Sequence, residues 1–216
     1  MEALSPEELR VLGSLIEKEA TTPEHYPLTM SSLVTATNQT SNRNPLVAYD
    51  APLITQVLAR LRDLGLARVV HSPSNRAEKY RHVVHEAWGL SAAELAVLAV
   101  LALRGPQTVN ELRSRTERYG DLQDMGGVDG ILHRLRNRYE HPYVVRIERQ
   151  PGQREERWAH LLAGEIIDVP AAPGPPSGRG AANAERVAVL EGRVSVLEDT
   201  LSVLRSDVNQ LLELLR

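Results

Sequence analysis

The 216-residue chain contains no cysteine. Disulfides, thiolate nucleophiles and cysteine-ligated zinc sites are excluded together. No run of about 18 apolar residues occurs, the length that a membrane-spanning helix needs. The opening decapeptide MEALSPEELR is acidic and has no apolar centre, so it does not read as a signal peptide. The cytoplasm is the expected compartment, with no membrane partner. Charge of one sign is not in excess either. A formal net charge of −3 gives no bulk attraction to nucleic acid. Catalytic fingerprints are missing as well. Gly126-Gly127 lies near a helix start, but no phosphate-binding or dinucleotide-binding pattern surrounds it. No Ser, His and Asp are placed so as to single out a nucleophile. The chain is expected to be no enzyme and to carry no cofactor.

What the sequence does contain is one pattern written twice. VLARLRDLGLARVVHSPSNRAEKYRHVV runs from Val57 to Val84, and ILHRLRNRYEHPYVVRIERQPGQREERWAHLL from Ile131 to Leu162. Each copy opens on a helical apolar stripe: Val57, Leu58 and Leu61, then Ile131, Leu132 and Leu135. Arginines flank each stripe, Arg60 and Arg62 against Arg134 and Arg136. An apolar strand follows, Ala67–Val70 or Val144–Ile147. A turn rich in Pro, Gly, Ser and Asn then leads to a returning strand holding Tyr80 and His82, or Trp158 and His160. Helix and short hairpin, repeated, is the pattern of tandem winged helix-turn-helix domains. The fold class expected is mostly α with small β-hairpins (α+β).

Further elements fill the two units. Ser5, Pro6 and Glu8 form a capping-box helix start, and Leu9, Leu12, Leu15 and Ile16 its buried stripe, with Glu17, Lys18 and Glu19 on a wet face. A second helix is expected from near Thr29 to Thr37. Asn38–Pro45, NQTSNRNP, reads as a long turn. A third helix follows the N-cap Asp50 and ends at Gly65. SAAEL at Ser91 echoes SPEEL at Ser5, and Leu95, Leu98, Ala99 and Ala102 line that helix. Arg104-Gly105-Pro106 stops it, Thr108 caps the next, and a last helix is expected from about Val128 to Tyr139. Winged-helix units at 1–86 and 87–168, each with its own modest core, are the expected domains.

Residues 169–184 form a Pro/Gly-rich linker, expected to be extended or disordered. The tail, 185–216, carries Val187, Leu190, Val194, Leu197, Leu201, Leu204, Val208, Leu211 and Leu215 at alternating steps of three and four. Every a and d heptad site is apolar, with valine at three a sites and leucine at d, which favours a parallel two-stranded coil. Arg186 and Arg193 at g would meet Glu191 and Glu198 at e of a second copy. One amphipathic helix packed on its own domain is the alternative.

Three strings, LTMSSLVTATNQTSNRNP (Leu28–Pro45), LRGPQTVNELRSR (Leu103–Arg115) and PGQREERWAHLLAGE (Pro151–Glu165), occur in that order. Together they resemble the YceH family of bacterial proteins over about residues 4–165. The resemblance implies a tandem winged-helix fold and supplies no activity.

Local charge differs from the total. Residues 54–82 hold six basic side chains against two acidic ones, and 131–157 hold seven arginines against four glutamates. A phosphate-contacting face is one reading and a solvated face the other. The candidate nucleic-acid contacts are Asn42, Arg43, Arg60, Arg62, Arg76, Lys79, Arg134, Arg136, Arg149 and Arg154. Asn38, Gln39 and Asn42 could read adenine edges or close their own loop. Trp88 and Trp158 are expected to pack at hairpin bases. His82 and His85 are three apart, with His71 opposite. Strand alternation would point the first two to opposite faces, so a surface role is expected and no metal. The function expected is a DNA-binding protein of the transcriptional-regulator kind, a homodimer through the tail. The alternative is a protein-interaction scaffold of tandem winged-helix type.

Overall fold

The computed structural model describes residues 2–71, 77–120, 122, 126–149, 155–164, 192–202 and 205. Helix α1, Pro6–Thr21, starts where Ser5 and Glu8 complete a capping box and Pro6 takes the first turn. These groups satisfy backbone N–H donors that a helix start leaves unpaired. Strand β1 (Leu28–Thr29) leads into α2 (Met30–Thr37), capped by the Thr29 hydroxyl. Helix α3 (Ala51–Asp63) follows Asp50, whose carboxylate accepts from the Leu53 N–H. Gly65 then turns the chain at φ +70°, a conformation a Cβ disfavours. Strands β2 (Ala67–Val70) and β3 (Lys79–His82) pair antiparallel, Ala67 opposite His82 and Val70 opposite Lys79. Strand β1 adds to the other edge of β3, Leu28 opposite Tyr80.

After the short helix α4 (Val84–Trp88), the order repeats. Helices α5 (Ala92–Arg104) and α6 (Val109–Thr116) both open on capping boxes, Ser91 with Glu94 and Thr108 with Glu111. Helix α7 is Gly127–Arg136, ending three residues earlier than its sequence suggests. Strands β4 (Val144–Ile147) and β5 (Arg157–His160) make the second hairpin. A bridge between Gln107 and Trp158 stands where β1 stands in the first half, with mutual N–H···O bonds of 2.9 and 2.7 Å. The chain is thus mixed α and β, largely helical, with small antiparallel sheets.

The two halves do not close separate cores, as the sequence reading expected. Helices α1 and α5 make the most extensive helix–helix contact, and one apolar cluster runs through both halves. Gly13 permits the approach: a Cβ there would stand 3.0 Å from Leu103 Cγ. Backbone bonds from Asn44 N–H to the Leu103 carbonyl and from Leu4 N–H to the Leu162 carbonyl, both 2.8 Å, tie the halves further. Helix α5 lies between α1 on one side and α6, α7 and β5 on others, so Leu95 through Leu101 are buried without interruption. A stripe suffices for a helix at the surface; one enclosed by neighbours is apolar all round.

Two further expectations are corrected. Glu17 and Lys18 lie inside, not on a wet face. The tail does not stand clear of the body: residues 192–202 are helical and touch it. Asp199 pairs with Lys18 and accepts from Gln39 Nε2 at 2.5 Å, and Glu198 accepts from Ser41 Oγ at 3.0 Å. The linker 169–184 lies outside the described residues, as do Val187, Leu190, Leu204, Val208, Leu211 and Leu215.

Candidate nucleic-acid interface

Helix α3 buries Ile54, Val57, Leu58 and Leu61 and leaves Thr55, Gln56, Ala59, Arg60 and Arg62 exposed. The 3.6-residue period divides the helix into these two faces. Arg62 lies near Tyr80 of β3. Burial and a hydrogen bond to Glu78 raise the Tyr80 phenol pKa, and the Arg62 charge opposes that rise. Arg62 and the half-buried Lys79 therefore stand on adjoining parts of α3 and its hairpin. Arg60 pairs with Glu2. On α7, Arg136 is exposed. Arg134 is half-buried, its Nε 3.7 Å from Glu94 Oε1, so it braces the start of α5. Arg149 is exposed beyond β4. Arg76 and Arg154 lie outside the described residues.

Arg43 leaves the candidate set. Its side chain is 0% exposed and pairs with Glu17, itself 1% exposed. Nη2 also donates to the Ala36 carbonyl at 2.8 Å and to Gln39 Oε1 at 3.0 Å. No phosphate could reach it without unpacking the α2–α3 loop. The neighbouring amides serve the loop as well. Asn38 Nδ2 donates to the Tyr49 carbonyl at 2.7 Å, and its Oδ1 accepts the Tyr49 N–H at 2.8 Å. This closes eleven residues of irregular chain. Asn42 sits at φ +58° with a buried Nδ2 that has no acceptor among the described residues.

Glu17 is the centre of a buried charge network. It accepts from Arg43 and from Arg118, and the Tyr119 hydroxyl lies 3.4 Å away. Burial pushes its pKa up, but Arg43 and Arg118 outweigh burial and hold it at about 2. Arg10, buried beside them, donates to the Pro45 carbonyl; burial and then the Arg43 charge lower its pKa to about 10. Arg118 Nη1 continues outward to Ser195 Oγ of the tail at 3.2 Å. Periodicity could not reveal this network, because its members come from α1, the α2–α3 loop, the turn after α6 and the tail.

The histidine reading also changes. Strand β3 ends at His82 and α4 begins at Val84, so alternation does not govern His85. The two rings meet edge-on at 5.3 Å, and His82 is fully buried rather than on a hairpin surface. Glu19 completes the group, with donor atoms all within 4.8 Å of one another; His71 is not part of it. His82 Nδ1 accepts the Val84 N–H at 3.3 Å, so a neutral ring keeps its proton on Nε2, 2.7 Å from Glu19 Oε2. That chemistry is a His–Glu contact, since a metal would need the Nε2 lone pair. Trp88 packs at 5.6 Å from Tyr143, and Trp158 joins the core edge.

Residues 4–153 match the family described as "Protein of unknown function, DUF480". The chain is 46% identical over 192 residues to the UPF0502 protein of Geobacter sulfurreducens, with 87% of each chain covered. It is 45% identical over 188 residues to the UPF0502 protein of Solibacter usitatus, covering 87% of this chain and 89% of that one. With the UPF0502 protein of Pelobacter propionicus the identity is 49% over 163 residues, 76% and 74% covered. The wider of these matches necessarily run beyond residue 153. By the extent of that match and these identities, the chain belongs to the DUF480 family, whose relatives here carry the UPF0502 name.

Proposed function

We propose that this chain is a DNA-binding protein of the transcriptional-regulator kind, built from two winged-helix units and paired into a homodimer through its tail. The observation that carries the reading is the outward face of α3. It presents Gln56, Ala59 and Arg62 outside its apolar stripe, with Arg62 near Tyr80 of the hairpin that holds Lys79. In a winged helix the third helix enters the major groove and the hairpin meets phosphate. The YceH resemblance implies the same fold. For pairing, the tail turns Ser195, Glu198 and Asp199 toward its own body. Its heptad residues Val194, Leu197 and Leu201 stay 46%, 60% and 65% exposed. A second copy offers the same seam and would bury it.

Binding to mixed-sequence duplex DNA across a salt series tests the reading. Log affinity should fall linearly with log salt, at about 0.9 per phosphate contacted. A second reading, a protein-interaction scaffold, draws on a different observation. Several surface arginines already face acids: the exposed Arg60 with Glu2, Arg68 with Glu86 and Arg146 with Glu156, and the half-buried Arg81 with Glu86. Weak binding with no salt slope would favour it.

A further inference from the structure

The buried network around Glu17 has one carboxylate for two guanidiniums. Arg43 and Arg118 both bind it, and Lys18 beside it is matched by Asp199. Among the described residues one positive charge of this group is left without a matching acid, and Arg10 adds to it from behind. Arg118, with its side chain 24% exposed, brings that excess to the surface, where an anion would offset it. Arg118 faces a cavity of about 480 Å³. Asn42, Arg104, Arg115 and Glu117 line one side of it, and Arg193, Val196 and Leu197 of the tail line the other. Four guanidiniums thus converge with one carboxylate. The Asn42 amide there has no acceptor among the described residues. Arg118 is spoken for by Glu17 and Ser195, and Arg115 lies 3.4 Å from Glu111, but a guanidinium has five N–H donors and keeps others to offer. Arg193 is exposed and has no carboxylate partner among the described residues.

We infer that this cavity, between the tail segment and the turn after α6, binds a small phosphate ester of the nucleoside diphosphate class. Planar guanidinium forks match phosphate oxygens in pairs. Val196, outside the heptad seam, supplies an apolar wall for the base or sugar, and the volume suits a ligand of that size. The ligand would touch body and tail together, so its binding would favour the docked tail. No residue of α3 lines the cavity, and the inference does not rest on DNA binding.

Isothermal titration of the full chain with ADP, pyrophosphate and adenosine tests it. ADP should bind saturably, pyrophosphate should compete, and adenosine should not bind. Arg104→Gln combined with Arg115→Gln should weaken ADP by about tenfold or more, the scale of a charged hydrogen bond. Should that double variant not fold, Arg193→Gln on the tail surface gives the same readout. Failure of both ADP and pyrophosphate to bind at millimolar concentration would overturn the inference. So would ADP binding that neither variant changes. If a short duplex DNA displaced ADP in an Arg193-dependent way, the cavity would be reading backbone phosphate, and the small-molecule assignment would fall.

Discussion

Arg43 and Glu17 are locked together inside the protein, with side chains 0% and 1% exposed. A loop arginine of the kind that could grip phosphate instead neutralises a helix carboxylate. Breaking such a pair from one side leaves an unmatched buried charge. Arg43→Met should therefore cost about 3–5 kcal/mol of stability, read by urea unfolding. Because the Glu17 pKa is lowered, its contribution is present above about 4.5 and lost as pH falls through about 2. Glu17→Gln should lower stability at neutral pH and flatten the acid limb. Unchanged denaturation midpoints in both variants would refute the structural role.

His160 gives a second, separable pH dependence. Burial holds its pKa at about 4, and Nδ1 has no hydrogen-bond partner among the described residues. The unfolded chain takes up a proton below about pH 6.5 that the folded ring refuses until about pH 4. Stability should therefore fall as pH drops across that window, by on the order of 2 kcal/mol. His160→Gln should remove that slope while leaving the Glu17 limb. An identical pH profile in the variant would show that the ring titrates freely.

Arg62 and Arg136 should act on DNA without acting on the fold. Both are exposed and lie outside their helices' apolar stripes. Replacing both by Gln should reduce the salt slope by about 2 and change stability by less than about 0.5 kcal/mol. Arg134 belongs to a different class, since it faces Glu94 at the α5 start; Arg134→Ala should lower the melting temperature. Equal melting in the Arg134 and Arg136 variants would erase the distinction.

The tail seam should carry self-association. Leu197→Asp with Leu201→Asp places charge on two exposed heptad sites and leaves Ser195, Glu198 and Asp199 in place against the body. Sedimentation should show the wild-type chain as a dimer and the variant as a folded monomer. A dimeric variant, or a monomeric wild type, would assign the seam another role.

Capping and periodicity made much of the element order legible. Ser5 with Glu8, Ser91 with the acid three residues on, Thr108 and Asp50 name helix starts locally, because each side chain bonds a backbone group three residues away. The hairpin strands Ala67–Val70 and Val144–Ile147 stand where their apolar runs are written. Membership of a bacterial protein family of unknown function was readable from strings whose order along the chain is the information, though not its DUF480 description. Burial of charge was not. Glu17 and Arg43 look like solvated residues in the sequence, and they become core residues only because the α2–α3 loop folds over α1. His82 and His85 seemed separated until the chain changed from strand to helix between them. The fusion of two cores into one rests on Gly13 meeting Leu103, two residues far apart in sequence whose contact no local pattern encodes. Local hydrogen bonding and periodicity are properties of neighbouring residues, so the sequence alone determined them. The placement of charge, rings and cavity depends on which helices pack face to face, and only the tertiary structure decided that.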